Sequence, residues 1–314
     1  MARYDLPIPS GWFEVAEVSE LAPGQLKQVE AFNEKLVLWR GHDGTFHLNE
    51  GYCPHQGAAF AVGGVVTADN RLGCPFHGWQ FGAGGALENI PYAPNASTSA
   101  CLRDYPVQEY HGLVMGWFDA AGAAPAWELP EIPELDGGGL TGPLVETHLL
   151  KTHLQEMAEN VVDGAHFETI HKHPGPASYD HISFDGHMMT AQTTQMFPGS
   201  KGPVEGRLDM AVYGMGASVL KYQTLIDLVV LNVTRPITSE LSQMRLMVYY
   251  ENQEGDPRCD RIANAFKDEV NRQVREDQPI WENKVYKAKP VLTEGEAIVT
   301  RFRAWCRQFY GTAA

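Results

Sequence analysis

The chain has 314 residues, 44% of them hydrophobic, and a formal net charge of −15; this describes a globular protein of two domains or one large one, and the charge excludes nucleic acid, whose phosphates demand the opposite sign. Five cysteines, an odd number thinly spread, exclude a disulfide framework and point to metal wherever Cys and His cluster. The opening Met1-Ala2-Arg3-Tyr4-Asp5 has no charged-then-apolar leader, and the most apolar run, Leu225 to Val233, is interrupted by Asp227 and too short to span a bilayer, so a cytoplasmic location without a membrane span is expected.

The charge is uneven: residues 1–136 hold 6 Lys+Arg against 17 Asp+Glu, the remainder 18 against 22. Solubility accounts for this acidic first third, and a docking face for a basic redox partner is the alternative. Within it, short apolar runs are punctuated by turn residues: Leu36-Val37-Leu38-Trp39 before Gly41-His42-Asp43-Gly44, and Leu113-Val114-Met115-Gly116-Trp117-Phe118. An all-β first domain is expected over residues 1–136, with a linker from about 120.

Inside that domain lie Cys53-Pro54-His55 and, after an 18-residue gap, Cys74-Pro75-Phe76-His77-Gly78-Trp79. A structural zinc site also uses two cysteines and two histidines, but its pairs usually run Cys-to-Cys and His-to-His. A Rieske [2Fe-2S] centre gives two thiolates to one iron and two imidazoles to the other, so one Cys and one His per loop suits it. Glycines 57, 63, 64, 73 and 78 suit tight turns around cluster sulfurs that need backbone N–H donors. Cys101, Cys259 and Cys306 read as ordinary thiols.

Ala120 to Gly142, rich in Ala, Pro and Gly, repeats neither a helix nor a strand period and marks the boundary to a second domain at 137–314. Near its start, Asn160, Asp163 and His166 are three apart and would share one helical face, with Val161, Val162, Phe167 and Ile170 as apolar surroundings. His171 falls about 140° past His166 on an ideal helix, so the helix must break or widen, with Gly164 inside and Pro174-Gly175 following. Two imidazoles and a carboxylate form the ligand set of non-heme iron(II) enzymes; ordinary helix histidines are the alternative.

Met188 to Met196, Gly206 to Gly216, Ala217 to Val233 and Ser239 to Glu251 read as antiparallel strands, and seven of the ten methionines fall between Met188 and Met247, suiting an adaptable apolar pocket or plain core. A final helix is expected from Ile262 to Trp281. Ile262, Phe266, Val270, Val274, Asp277 and Trp281 make one stripe with a single acid in it. An ionised carboxylate there is costly unless paired or bound to metal, so Asp277 is the candidate third ligand, a salt bridge to a neighbouring Arg being the alternative. Pro279 cannot donate to the carbonyl of Arg275 and loosens the helix beside it.

Taken over nearly its whole length, the chain resembles the terminal (alpha) components of Rieske non-heme iron oxygenases. C-P-H and C-P-F-H-G-W carry the resemblance in the first domain, the pattern E-N-x-x-D-x-x-H-x(4)-H from Glu159 to His171 carries it in the second, and Pro9-Ser10-Gly11-Trp12-Phe13 with Glu20-Leu21 resembles the start of such chains. The resemblance implies that Cys53 and Cys74 hold the inner iron and His55 and His77 the solvent-side iron. It further implies that His166, His171 and Asp277 hold a mononuclear Fe(II), and that Asp163 bridges His166 to His77 of a neighbouring subunit in a head-to-tail homotrimer. Glu276 to Tyr286, E-D-x-P-I-W-E-N-K-x-Y, is similar to the branch of 3-ketosteroid 9α-hydroxylases and cholesterol desaturases. The implied fold is α+β: a Rieske domain, then a curved antiparallel sheet gripping a long C-terminal helix (a helix-grip, START-like arrangement) around an apolar pocket.

The expected function is O2 activation at Fe(II) to hydroxylate or desaturate a bulky apolar, steroid-like substrate, with Asp163 and Asn160 as further candidate catalytic residues. No G-x-G-x-x-G follows any strand, so a ferredoxin or flavin-dependent reductase must supply electrons. Arene cis-dihydroxylation or O-demethylation would use the same metals, and a Rieske-type electron carrier would need only the first motif.

Overall fold

The computed structural model describes residues 3–96, 99–173, 175, 179–197, 202, 204–252 and 254–311. Pro174 of the expected break Pro174-Gly175 lies outside the described residues. The chain divides into two compact units, Trp12–Ala126 and Met1–Gly11 together with Trp127–Ala314.

The first of these units is all-β. Its strands are β1 (Gly11–Glu17), β2 (Leu26–Ala31), β3 (Glu34–Arg40), β4 (Phe46–Glu50), β5 (Val65–Val66), β6 (Leu72–Gly73), β7 (Gln80–Phe81), β8 (Leu87–Asn89), β9 (Asp104–Tyr105), β10 (Val107–Tyr110) and β11 (Leu113–Phe118). They form sheets in the orders β1-β11-β10, β2-β3-β4-β9 and β5-β6-β7-β8. Leu36 to Trp39 in β3 is buried throughout, which is why that strand reads as an unbroken apolar run rather than an alternation. The buried Trp39 indole still finds a partner, donating to Asn49 Oδ1 at 2.9 Å.

The other unit holds α1 (Pro133–Asp136), β12 (Thr141–Leu150), α2 (Leu154–Glu159), α3 (His166–Thr169), β13 (His181–Asp185), β14 (Met188–Phe197), β15 (Val204–Tyr213), β16 (Ala217–Gln223), β17 (Asp227–Thr238), β18 (Leu241–Tyr250), α4 (Pro257–Trp281) and α5 (Ala297–Cys306). Its antiparallel sheet runs β12-β18-β17-β16-β15-β14-β13. Every second residue on one face, including Leu208 and Met210, Ser218, Leu220 and Tyr222, Leu228, Val230 and Asn232, Met244 and Leu246, lines a single cavity. The stripe Ile262, Phe266, Val270, Val274, Asp277 and Trp281 of α4 lines the same cavity. A period of two on the sheet thus meets a period of 3.6 on the helix.

Several expectations need correction. The expected division at 136/137 comes after Ala126, and the first eleven residues belong with the unit that resumes at Trp127. They are tied there by the Tyr4 hydroxyl, which donates to the Trp281 carbonyl and pairs with Thr152 Oγ1, and by the Ser10 N–H, which donates to the Phe309 carbonyl. The stretch 120–142 is not free of regular structure: it holds α1 and the start of β12. Ala217 to Val233 is a hairpin, Ala217 pairing with Val233 around a turn at 224–226, because Asp227 breaks the apolar run where the chain reverses. Helix α4 is not the last, since α5 follows it. Asn160, Asp163 and His166 do not share a helix: α2 ends at Glu159, a 3-10 turn spans Asn160–Val162, and α3 starts afresh at His166.

The start of α2 depends on one histidine. His153, 1% exposed, caps the helix: its Nδ1 accepts from the Gln155 N–H at 3.0 Å while Nε2–H donates to the Pro7 carbonyl at 3.0 Å. Burial lowers its pKa below the ordinary histidine value, against the opposing pull of the Pro7 carbonyl. The unfolded chain therefore takes up this proton first, so the cap is fully effective above about pH 6.5 and is lost as the pH falls from there toward the folded pKa. In urea unfolding at pH 7.5 and 5.5, the wild type should lose about 1 kcal/mol, the usual worth of an N-cap, that His153→Asn, which keeps a cap acceptor, does not lose. Equal losses would place the acid sensitivity elsewhere.

Candidate metal centres

In the β unit the two Cys–His loops are built alike. The Gly57 N–H donates to the Cys53 carbonyl at 2.8 Å and the Gly78 N–H to the Cys74 carbonyl at 3.1 Å, with both glycines at positive φ (75° and 71°). The Cys53 and Cys74 N–H groups donate to the Ala58 and Trp79 carbonyls, at 2.9 and 2.8 Å. Each loop is thus a tight turn closed four residues after its cysteine, where only glycine takes the left-handed conformation without strain.

The loops bring all four predicted residues together. Cys53 and Cys74 are part of the buried core with Trp39, Phe60, Leu72 and Phe81, and neither forms a disulfide. Burial, with the facing Cys74 thiol in support, pushes the Cys53 thiol up to about 11. Such a thiol gives up its proton readily only to a metal. Outside the core, the His55 and His77 rings lie 4.7 Å apart, and the buried Nδ1 of His55 has no hydrogen-bond partner. Two soft ligands inside, two imidazoles outside and an orphaned imidazole nitrogen fit a Rieske cluster. Trp79 stacks on His55 (4.4 Å, 6°) and donates to the Tyr92 hydroxyl at 2.9 Å. The sequence displays Trp79 in its motif; Tyr92 carries no such signal. Cys101 is exposed, Cys259 half-buried and Cys306 buried, and all three are free thiols.

In the other unit the broken helix 154–169 faces α4. His166, His171 and Asp277 present ligand atoms that all lie within 4.8 Å of one another, the geometry of a site that could hold one metal ion. His171 Nε2 is 3.4 Å from Asp277 Oδ1, and the two imidazole rings are 5.1 Å apart. Asn160 Nδ2 donates to Asp277 Oδ2 at 2.9 Å and lies 3.1 Å from His166 Nε2, so it touches both. Asp163 Oδ1 is 3.8 Å from His166 Nδ1, an ion-pair separation rather than a hydrogen bond. That imidazole holds the Asp163 carboxyl below the usual range, and His166 Nδ1 is itself buried without a hydrogen-bond partner.

His171 is 4% exposed. Burial opposes its charged form, but acceptance by Asp277 and Glu276 outweighs this and leaves its pKa above the ordinary value. Asp277, 7% exposed, therefore does interrupt the apolar stripe, and its partners are imidazole and amide rather than the neighbouring arginine. Glu276, next to Asp277 but off the stripe, reaches His171 Nδ1 at 3.0 Å. The pair Arg272 and Glu276, four apart on a helix, was the available signal.

The cavity of ≈ 830 Å³ opens from this cluster, and Asn160, His166, His171 and Asp277 contribute to its wall. The rest is predominantly apolar. Among the described side chains of the clustered methionines, Met210 and Met244 line it, whereas Met189, Met215 and Met247 are buried outside its lining, so core filling accounts for much of the concentration.

Two family models divide the chain between them. The Rieske [2Fe-2S] domain matches residues 11–110, and the 3-Ketosteroid 9alpha-hydroxylase C-terminal domain matches residues 116–310, more than half the chain. The chain belongs to the Rieske oxygenases of the 3-ketosteroid 9α-hydroxylase family. Among relatives of this oxygenase, a probable 3-ketosteroid-9-alpha-monooxygenase oxygenase component of Rhodococcus rhodochrous is 31% identical over 96% of this chain and 79% of its own length. Cholesterol 7-desaturase nvd 1 of Ciona intestinalis is 29% identical over 98% of the chain and 70% of its own. The fold is shared with NdmA of Pseudomonas putida CBB5 with caffeine (TM-score 0.75, 22% identity, 94% and 89% of the two chains) and with dicamba monooxygenase bound to dicamba (0.72, 18%, 96% and 96%).

The two clusters of side chains should be separable by mutation. His55→Ala is expected to bleach the Rieske absorption and its reduced EPR signal, whereas Asp277→Ala should keep that spectrum and lose most of the second metal, since only the catalytic unit uses it. Metal analysis with acid-labile sulfide determination checks both. Zinc without labile sulfide, or full second-site metal in Asp277→Ala, would reassign the ligands.

Proposed function

We propose that the chain is the terminal oxygenase of a multicomponent system that hydroxylates or desaturates a bulky, steroid-like substrate at a mononuclear ferrous ion held by His166, His171 and Asp277. The observation that carries this reading is the joining of that triad to a largely apolar cavity of ≈ 830 Å³, within the range of pockets that enclose a sizeable organic ligand. The relatives' names agree with it: one is a 3-ketosteroid-9-alpha-monooxygenase component and another a cholesterol 7-desaturase. An iron in this triad would supply dioxygen activation, fed with single electrons by the [2Fe-2S] cluster.

The chain's own residues then have distinct tasks. The β-sheet face and the α4 stripe hold the apolar body of the substrate and keep water from it. His166, His171 and Asp277, which would hold the metal, also line the cavity, so a metal there would adjoin the space for substrate. Asn160 holds Asp277 Oδ2 and keeps that carboxylate aimed. Asp163, half-exposed beside His166, is placed to orient that imidazole and to receive a second histidine from outside.

Exposed apolar residues in the β unit, Tyr52, Val62, Val65, Phe76 and Tyr92, lie in or beside the cluster loops. Buried in a head-to-tail contact, they would bring His77 of one subunit to Asp163 of the next, in a closed homotrimer. A ferredoxin or flavin-dependent reductase refills the cluster. The working location is the cytoplasm; no helix among the described residues is long and apolar enough to cross a membrane.

The reading is tested by substrate-dependent oxygen uptake of the iron-loaded protein with a chemical or reductase electron source, steroids against simple arenes. Uptake with product formation on steroids is expected; turnover of arenes alone to cis-diols would replace it. For the trimer, the inactive variants His77→Ala and His166→Ala, dissociated and reassembled together, should recover part of the wild-type rate, because some interfaces pair a sound cluster with a sound iron. No recovery in verified mixed trimers would assign electron transfer to a route within one chain.

A further inference from the structure

Beyond the triad, α4 carries a row of charged contacts that ends on one of the imidazoles. Glu276 Oε2 lies 3.0 Å from His171 Nδ1, on the opposite side of the ring from the Nε2 that faces Asp277. The other oxygen, Glu276 Oε1, accepts from Arg272 Nη1 at 2.5 Å, one turn back on the helix. Arg272 is fixed in turn by Glu269, which accepts from its Nε at 2.9 Å and its Nη2 at 2.5 Å. Gln273 Nε2 donates to the same Glu269 at 3.0 Å.

We propose that Glu276, held by Arg272 and Glu269, is a positioning residue for His171; the inference rests on the reading that His166, His171 and Asp277 bind the mononuclear metal. An imidazole offers one nitrogen to a metal, and the other must be a donor. A carboxylate at Nδ1 fixes Nε2 as the ligand atom, sets the rotation of the ring and makes it a stronger donor to the metal. Glu276 meets the triad at His171 Nδ1 alone, on the side of the ring away from the Nε2 that faces Asp277. A free glutamate would lose rotamer freedom to hold this geometry, and the Arg272 fork removes that freedom in advance. The Nδ1 of His166 has no carboxylate as close, since Asp163 stands 3.8 Å from it. The better-held imidazole is thus the one that adjoins the long helix.

The test uses the full chain with its Rieske cluster intact and the second site loaded with Fe(II) or, for spectroscopy, Co(II). Glu276→Gln keeps the shape and removes the charge. It should weaken metal binding 10- to 100-fold in chelator competition, the usual effect of losing such a partner, and shift the Co(II) ligand-field bands while the Rieske absorption stays unchanged. Glu276→Asp should recover part of the affinity, and Arg272→Met, which leaves the carboxylate but unties it, should lose a smaller factor. Should Glu276→Gln fail to fold, the last two variants decide by the same readouts. Wild-type affinity and unshifted bands in the variants would overturn the proposal. A wild-type chain that takes up no second metal would instead overturn the triad.

Discussion

A carboxylate buried in an apolar helix face must be partnered, and the catalytic unit is arranged around that requirement at Asp277. At 7% exposure its charge would be costly to bury alone. The molecule answers with groups from elsewhere in the chain: the Asn160 amide and the His171 imidazole, both from the broken segment packed against α4. Two elements more than a hundred residues apart in sequence are held in register by one acid. The same acid lies with His166 and His171 in a cluster whose ligand atoms are within 4.8 Å of one another, so what satisfies the charge also gathers atoms that could hold a metal.

The β unit solves the converse problem. Its cysteines are embedded in the hydrophobic core and its histidines lie outside that core, which separates the two ends of a cluster by dielectric as well as by ligand type. The buried thiol, with its raised pKa, keeps its proton until iron displaces it, while the imidazoles remain accessible to whatever passes electrons. The stacking of Trp79 on His55 restrains one of these rings. Burial, hydrogen bonding and exposure are the means by which a protein sets the potential of such a centre.

Much of this was legible in the sequence because it rests on local patterns. The Cys–His loops are short-range turns whose glycines and spacing state their own geometry. The stripe of α4 is a long, clean period with one foreign residue, so Asp277 stood out. The failures came where the chain departs from a period. Asn160, Asp163 and His166 keep helical spacing, yet Gly164 and the demand that two imidazoles meet split the segment into three short pieces. The run from Ala217 to Val233 is apolar enough to hide its own turn. Glu276 falls off the stripe by helical counting, which places a Cα and not the end of a two-methylene side chain. No local signal announces that Tyr4, Pro7 and Ser10 are bonded to residues 150 to 300 positions away.

That last feature gives the chain an unusual syntax. The catalytic unit begins at the N-terminus, is interrupted by Trp12–Ala126, and resumes at Trp127, so the iron–sulfur unit is a parenthesis within its host rather than a neighbour placed before it. During vectorial synthesis the guest leaves the ribosome whole and can close its own core at once. The host's opening words, Arg3 to Ser10, must wait for Trp281 and Phe309, which are made after the whole of the guest. The unit that supplies electrons is therefore free to mature before the unit that spends them on oxygen has a pocket in which to do so.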